Sequence, residues 1–236
     1  MIKISKLKVE KGSKYPIHLA LGHEIISASA AFIKQNGDNF ILSHRNMHFN
    51  LSLSDENSCE KIINESLVSK DSINKGNYGC MTMRNKSAGI IYTSSILANN
   101  ISVGLGISST NAKDSVTWIQ TGDGAIEEGA FYESLVFAKA RNLPIIIMIE
   151  NNNWSLGSSI KERRKNINFL LLAKSIGLSY SLINKPKSIY QVCNTLRKAR
   201  NSALFNPQIV EIKLVTEGAK QSKHRAYTSY HHGPLK

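Results

Sequence analysis

The stretch VTWIQTGDGAIEEGAFYESLVFAKARNLPIIIMIENNNWSLGS, residues 116–158, decides the fold that the rest of the chain must join. Residues 116–121 and 144–150 are apolar and rich in β-branched side chains, as in strands that are covered on both faces. Residues 127–141 between them have the pattern and length of a helix. A strand–helix–strand unit of this size predicts two parallel strands joined by a right-handed crossover.

Further helices and strands alternate on both sides of this unit. The sequence predicts helices at 18–35, 58–69, 166–176 and 188–203, and strands at 40–42, 178–183 and 208–215. This alternation predicts an α/β fold with a doubly wound, mostly parallel sheet. We expect one domain over residues 1–236, with its best-supported core at 90–215 and a helix and functional loops within 1–89.

The composition is that of a globular protein. Of the 236 residues, 42% are hydrophobic and 20% are charged, which is typical of soluble domains. No apolar run is long enough to cross a membrane, and the N-terminus lacks the apolar region of a secretory signal, so we expect a cytoplasmic protein. Cys59, Cys80 and Cys193 form no CxxC pair, which argues against a zinc site and a disulfide framework.

The net charge of +13 raises the question of an acidic partner. The lysines are scattered along the chain, and the densest cluster, KERRK at 161–165, contains a glutamate and no interleaved aromatic residue. This pattern disfavours nucleic-acid binding. An anionic cofactor or an acidic partner subunit explains the charge at least as well.

Polar motifs follow both strands of the central unit. Gly122-Asp123-Gly124 comes after 116–121, and Asn151-Asn152-Asn153 comes after 144–150. Either motif alone is more often an ordinary turn. In a parallel sheet, however, both would emerge at the carboxyl ends of neighbouring strands, where ligands bind.

The residue types at these two strand ends suit a magnesium diphosphate. Magnesium prefers oxygen ligands, usually one or two carboxylates together with phosphate oxygens. Asp123, the amide oxygen of Asn152 and a loop carbonyl near Trp154 would supply such ligands. The glycines let a diphosphate approach the backbone closely, and the N-terminus of helix 127–141 would add partial positive charge.

Residues 121–158 resemble the thiamine diphosphate motif of the α subunits of 2-oxo acid dehydrogenase first components, the pyruvate, branched-chain or acetoin type. The resemblance lies in the GDG start, the FYES, FA and LP positions, and the ENN followed by an aromatic residue. Weaker similarity extends to HLALGHEIIS (18–27), LSHRNMHF (42–49), GNYGCMTM (76–83) and SSILANNISVGLG (94–106). It implies a transketolase-like, thiamine diphosphate-binding fold.

The resemblance also implies roles for particular residues. Asp123, Asn152 and the Trp154 carbonyl would hold Mg²⁺. The diphosphate would contact the arginine and histidine of the 42–49 segment, the GDG loop and a C-terminal histidine, namely Arg45, His44, Gly122, Gly124, Ala125 and His231. Backbone groups of Ser95 and Leu97 would pair with the aminopyrimidine ring.

Two histidines, His48 and His232, are the expected catalytic residues. His48 follows Met47, which stands where the family has a catalytic histidine, and Thr82 replaces a further histidine of the family's Gly-rich loop. His23 stands where the family has glutamine and is expected to be structural.

The family resemblance further implies a partner and a reaction. A β-type subunit would supply the glutamate that activates the cofactor, in a two-α, two-β heterotetramer that decarboxylates a small 2-oxo acid whose identity the sequence does not determine. Relative to the family, the chain is expected to lack the first helix and part of the C-terminal region. Two alternatives remain open, the N-terminal half of a split transketolase-like enzyme and a truncated or non-catalytic interaction subunit.

Overall fold

The computed structural model describes residues 17–216, and these are built around a six-stranded parallel sheet. The strands in chain order are β1 (Asn39–Ser43), β2 (Ile90–Ser94), β3 (Thr117–Gly122), β4 (Ile145–Asn151), the short hairpin pair β5 (Trp154–Ser155) and β6 (Ser158–Ser159), β7 (Ser179–Asn184) and β8 (Gln208–Lys213). The order across the main sheet is β2–β1–β3–β4–β8–β7. All of its pairs are parallel, which confirms the predicted α/β class.

Helices cover both faces of the sheet. They are α1 (Glu24–Ile33), α2 (Met47–Leu53), α3 (Cys59–Ser66), α4 (Asn99–Ser108), α5 (Gly129–Ala140), α6 (Ile160–Arg163), α7 (Phe169–Ile176) and α8 (Ile189–Ala203). The apolar side chains of α1, α2 and α8 pack on one face, and those of α4, α5 and α7 pack on the other. The fold is therefore the expected doubly wound sheet with a helical layer on each side.

Strand β4 shows how the sequence produces these layers. Successive side chains of a strand point to opposite faces of the sheet. Ile146 and Met148 accordingly join the cluster beneath α1 and α8, whereas Ile145, Ile147 and Ile149 join the cluster beneath α4 and α5. A central strand buried on both faces needs a continuous apolar run, and IIIMI provides it.

A buried ion pair joins the start of the sheet to α8. The Arg200 guanidinium donates to both carboxylate oxygens of Asp38, at 3.0 and 2.9 Å. The same carboxylate accepts the Trp118 indole N–H at 3.1 Å and the Val116 backbone N–H at 3.0 Å. Both charged side chains are almost fully buried, and each charge compensates the other. Asp38 thereby connects the start of β1 with β3 and α8.

The irregular segment after α3 is organised by one carboxylate. Glu65 accepts the backbone N–H groups of Asn74, Gly76, Tyr78 and Gly79 and the hydroxyl of Ser72. Burial acts to raise the pKa of Glu65, but these hydrogen bonds hold it below its ordinary value. The loop that the sequence predicted as irregular within 51–89 is thus fixed to a helix that lies close to its predicted position.

Several element boundaries differ from the sequence prediction. The first helix was expected from residue 18 but begins at Glu24, because Gly22 has φ 91° and its N–H is accepted by the Glu24 carboxylate. The helix expected at 166–176 begins at Phe169, because Asn168 is its N-cap residue. The Asn168 side chain accepts the backbone N–H of Leu171. Strand β2 and helices α2, α4 and α6 had no counterpart in the prediction.

The helix expected at 127–141 also begins later, at Gly129. A separate 3₁₀ turn over Ala125–Glu127 lies between it and the GDG motif. The first full turn of α5 is therefore displaced from Asp123, and the expected contribution of its N-terminus to an anion site is correspondingly weaker, since that effect fades within a turn.

Candidate functional site

The two polar motifs meet at the carboxyl end of the sheet. Gly122, the last residue of β3, pairs in register with Glu150 near the end of β4. The GDG loop and the ENN loop therefore leave the sheet side by side, as the sequence predicted. Strand β1 pairs with β3 on its other side, which brings the segment after Ser43 to the same edge.

A cleft that is partly open to solvent lies above these strand ends. Its walls include nine of the predicted site residues, contributed by four separate strand ends: His44, Arg45, Leu97, Gly122, Asp123, Gly124, Ala125, Asn152 and Trp154. Ser95 itself is not among the wall residues, although Ser94 and Ile96 on either side of it are. His231 and His232 lie outside the described residues.

Asp123 is buried and paired with an arginine that the sequence prediction did not connect with it. The Arg163 guanidinium donates to the Asp123 carboxylate at 2.6 Å, and Arg164 donates to the Asp123 carbonyl at 3.4 Å. Burial raises the pKa of Asp123 to about 6, although the charge of Arg163 acts in the opposite direction. A buried carboxylate needs a positive charge beside it, and Arg163 supplies that charge to Asp123.

The same two arginines account for the basic cluster of the sequence. Arg163 and Arg164 also donate to the Glu127 carboxylate at 2.7 and 2.9 Å. A capping box between Ser159 and Glu162 begins the short helix α6, which ends at Arg163 and is followed by Arg164. Part of the KERRK cluster therefore pairs with acidic groups of this chain. This further weakens the interpretation that the cluster binds nucleic acid.

The two glycines of the GDG motif have different surroundings. A Cβ on Gly122 would meet nothing within 4 Å, so this backbone faces open space in the cleft. A Cβ on Gly124 would lie 2.6 Å from the Ser155 Cβ, so that glycine is required by the packing of the β5–β6 hairpin. Only Gly122 therefore supports the expectation that a glycine leaves room for a ligand.

Asn152 and Trp154 form a compact turn at the end of β4. The Asn152 side-chain oxygen accepts the Trp154 N–H at 3.1 Å, and its side-chain nitrogen donates to the Thr216 hydroxyl at 2.7 Å. Asn153 between them has φ 68°, a left-handed conformation that asparagine tolerates better than most residues. This turn brings both predicted ligands to the wall of the cleft.

Arg45 lies where the sequence placed it, just beyond β1. It is buried, and one guanidinium nitrogen donates to the Leu19 carbonyl at 2.6 Å. Burial lowers the pKa of Arg45, whereas the nearby Glu150 and Asp123 carboxylates and Cys80 act to raise it. Arg45 is thus a fixed cation at the wall of the cleft.

His48, which the sequence predicted to be catalytic, lies in the interior against Glu150. Its Nε2 contacts a Glu150 carboxylate oxygen at 2.9 Å, its side chain is fully buried, and it is not among the wall residues. The reason is the helical start at Met47, which turns the following side chain towards the end of β4. The catalytic role of His48 stays a prediction.

Glu150, at the wall of the cleft, is a buried hydrogen-bond acceptor that the sequence prediction missed. It accepts from His48, from His23 Nδ1 at 2.9 Å and from the Gln120 amide at 3.0 Å. Burial alone would raise the pKa of Glu150, but the two histidines bring it well below its usual range. A glutamate that ends an otherwise apolar strand is the signal in the sequence, because a buried carboxylate requires partners.

His23 is a wall residue of the cleft as well as a partner of Glu150. Burial lowers the pKa of His23, whereas the nearby Glu150 carboxylate acts to raise it. Its second nitrogen, Nε2, lies 3.0 Å from the Thr216 hydroxyl. His23 therefore belongs to the surroundings of the site rather than to the distant core.

Curated relatives of the chain are pyruvate dehydrogenase E1 component α subunits. The protein from Rhizobium meliloti (strain 1021) is 26% identical over 188 residues, which is 75% of this chain and 53% of that subunit. The protein from Rickettsia prowazekii (strain Madrid E) is 28% identical over 146 residues, 61% of this chain and 44% of that subunit. The chain thus spans about half the length of these relatives.

The fold is similar to that of transketolase. The structure of transketolase from Campylobacter jejuni matches 99% of this chain and 39% of its own, with a TM-score of 0.70 and 19% identity. At this identity the match concerns the fold alone, and it agrees with the predicted transketolase-like class. None of the helices within residues 17–216 is both long and apolar enough to cross a membrane.

The family follows from a match over nearly the whole chain. The model of the family described as "Dehydrogenase E1 component" matches residues 1–215. That range contains the GDG and ENN loops, Arg45 and the whole of the described sheet. The chain therefore belongs to the dehydrogenase E1 component family, and the resemblance seen in residues 121–158 is confirmed.

Proposed function

We propose that this chain is the α-type subunit of a thiamine diphosphate- and Mg²⁺-dependent 2-oxo acid dehydrogenase. The observation that carries the proposal is the convergence of Asp123, Asn152, Trp154 and Arg45 on one cleft. These residues come from three separate segments of the sequence. Family membership adds the class of cofactor that such a cleft would bind.

The residues of the cleft fit a magnesium ion. Asp123 offers a buried carboxylate, and Asn152 and Trp154 offer neutral oxygens. Mg²⁺ combines such protein oxygens with phosphate oxygens. The Arg163 guanidinium against Asp123 supports this, because the carboxylate already requires a cation beside it. Binding of Mg²⁺ would require Arg163 to leave Asp123.

The remaining wall fits the organic part of the cofactor. Arg45 supplies a fixed positive charge for the diphosphate, and Gly122 leaves open space beside it. Ile96 and Leu97 are exposed apolar side chains at the mouth of the cleft, where the backbone around Ser95 would pair with the aminopyrimidine. When bound, thiamine diphosphate supplies an electron sink for the loss of carbon dioxide from a 2-oxo acid.

We further propose that the catalytic unit is a two-α, two-β heterotetramer. The described cleft provides groups for the metal and the diphosphate, and the family implies that a β-type subunit provides the glutamate that activates the cofactor. A small 2-oxo acid would bind between the subunits. The split transketolase alternative has weaker support, because the family model that matches is the dehydrogenase one.

The experiment is co-expression of the full chain with a β-type E1 subunit from the same organism. We expect Mg²⁺-dependent binding of thiamine diphosphate by calorimetry, and reduction of an artificial electron acceptor with pyruvate or a branched-chain 2-oxo acid. Asp123→Asn should abolish the Mg²⁺ dependence, and the exposed Asp71→Asn is the matched control.

Three other outcomes would count against the proposal. Ketol transfer without acceptor reduction would favour the transketolase-like alternative. A complex that binds no cofactor would favour a non-catalytic subunit. Decarboxylation by the isolated chain would contradict the required β-type partner.

A further inference from the structure

A continuous chain of hydrogen bonds leads from Glu150 to the side chain of Asn152. The Glu150 carboxylate contacts His23 Nδ1 at 2.9 Å, and His23 Nε2 contacts the Thr216 hydroxyl at 3.0 Å. The Thr216 oxygen then accepts from the Asn152 side-chain nitrogen at 2.7 Å. His23, Glu150 and Thr216 are each 3% exposed or less, so solvent does not compete along this path.

The direction of the first link is fixed by Gln120. The backbone N–H of Ser43 can only donate, and it donates to the Gln120 side-chain oxygen at 2.8 Å. The Gln120 nitrogen must therefore face Glu150, where the carboxylate accepts it at 3.0 Å. The same Glu150 oxygen faces His23, and an ionised carboxylate only accepts hydrogen bonds.

The directions of the later links follow from the chemistry of each group. The proposed chain has His23 neutral with its one N–H at Nδ1, donating to Glu150, so that its Nε2 is an acceptor. The Thr216 hydroxyl has one hydrogen and must donate it to His23 Nε2. Its oxygen can then only accept from a third group, and the donor is the Asn152 amide nitrogen.

These directions determine which end of the Asn152 amide faces its own loop. With its nitrogen on Thr216, its oxygen accepts the backbone N–H of Trp154, whose carbonyl is another predicted ligand. A reversed amide would set its oxygen against the Thr216 oxygen and its NH₂ against the Trp154 N–H. The first contact would then join two acceptors, and the second would join two donors.

We infer that Thr216 and His23 are positioning residues that hold the Asn152 amide oxygen towards the cation site, in an orientation set by Glu150. The inference rests on the proposed function for the identity of the cation. The hydrogen-bond chain itself does not depend on that function. His23 stands where the family has glutamine, and Thr216 lies just beyond the residues that the family model matches.

The test compares two changes at Thr216 with a change at a neighbouring threonine. Thr216→Val removes the hydroxyl at nearly constant shape, and Thr216→Ser keeps it. Thr121→Val is the matched control, because Thr121 is a buried threonine of β3 whose hydroxyl has no hydrogen-bond partner among the described residues.

The first measurement is Mn²⁺ binding to the full chain with thiamine diphosphate present, followed by electron paramagnetic resonance. Loss of the hydroxyl leaves the Asn152 nitrogen unpaired and allows the amide to reverse. We expect Thr216→Val to weaken Mn²⁺ binding about five- to fiftyfold. Thr216→Ser and Thr121→Val should each stay within about twofold of the wild type.

The second measurement is the tautomer of His23 from its ¹⁵N chemical shifts in the full chain without metal. We expect the proton on Nδ1, and a shift of the Nε2 resonance and the Asn152 amide resonances in Thr216→Val. Binding of Mn²⁺ to Thr216→Val as tightly as to the wild type would overturn the positioning role, as would a proton on Nε2.

The two measurements separate this inference from the proposed function. If the wild type bound no Mn²⁺ while the tautomer and the Thr216→Val shifts were as expected, the cation site would be wrong and the hydrogen-bond chain correct. If the wild type bound Mn²⁺ normally and Thr216→Ser failed to keep the wild-type affinity, the cation site would be supported. The positioning role of the Thr216 hydroxyl would be contradicted.

Discussion

The Arg163 guanidinium lies 2.6 Å from the Asp123 carboxylate, although the two residues are separated by forty positions in the sequence. Asp123 is also the residue that the family pattern assigns to the metal. A metal ion at the proposed site would therefore compete with Arg163 for one carboxylate, and this competition can be measured.

Removal of Arg163 should strengthen metal binding in the absence of diphosphate. A cation that approaches Asp123 must break a charge-assisted hydrogen bond, which is worth about 1.5–3 kcal/mol. We expect Arg163→Gln to tighten Mn²⁺ binding to the full chain about tenfold or more. Arg197→Gln on the exposed side of α8 is the control for a simple change of net charge, and equal effects of the two changes would contradict the competition.

Arg45 should contribute to diphosphate affinity through both its charge and its shape. A guanidinium donates two parallel hydrogen bonds to a phosphate, and lysine keeps the charge without this geometry. We expect Arg45→Ala to lower thiamine diphosphate affinity by about one to two decades in the assembled complex, with Arg45→Lys in between. Melting temperatures must be compared, because Arg45 also binds the Leu19 carbonyl. Wild-type affinity in both variants would make Arg45 a structural residue only.

The Arg200–Asp38 pair should contribute strongly to stability. Loss of one partner leaves the other charge buried, which costs about 3–5 kcal/mol. We expect Arg200→Ala to lower the free energy of unfolding in urea by about that amount. The exposed Lys198→Ala in the same helix should change it by less than about 0.5 kcal/mol. A loss below about 1 kcal/mol for Arg200→Ala would mean that water replaces the guanidinium.

Glu65 should make the stability of the chain depend on acid pH. Its pKa is lower in the folded protein than its ordinary value of 4.5, so folding favours the ionised form. Its contribution is therefore fully present above the unfolded pKa and is lost as the pH falls through the folded pKa. We expect the wild type to be more stable than Glu65→Gln at pH 7 and this advantage to shrink below about pH 4.5.

The control for the Glu65 series is Glu60→Gln, on the exposed side of the same helix. Urea unfolding of all three proteins between neutral and acid pH gives the comparison. A difference between wild type and Glu65→Gln that did not change with pH would contradict an ionised Glu65 at the centre of its loop.

The central unit of the fold could be predicted because its signals are local. The apolar run of β4 and the polar motifs after two strands are each contained within a few residues, and parallel pairing then dictates their meeting. Helix α4 was not predicted, because SSILANNISVGLG mixes small, polar and apolar residues without a clear period. Gly104 within it fits closely against Ile119, a requirement that only the packed structure reveals.

The surroundings of the site could not be predicted for a different reason. Asp123 and Arg163, or His23 and Thr216, are brought together by the sheet across long separations in sequence. No spacing rule links such pairs. For His48, similarity to a family motif places the residue in a segment but does not determine which way its side chain points.

The four-residue helix α6 has too few turns to be stable by itself, since isolated helices shorter than about twelve residues are marginal in water. Its order comes from its capping box and from the acidic groups that Arg163 and the following Arg164 contact. Transfer of Asp123 to a metal would remove one of these attachments. The local folding free energy of α6 would then be linked to occupancy of the cleft by a metal, and we expect this segment to exchange its backbone amide hydrogens faster when the cleft is filled.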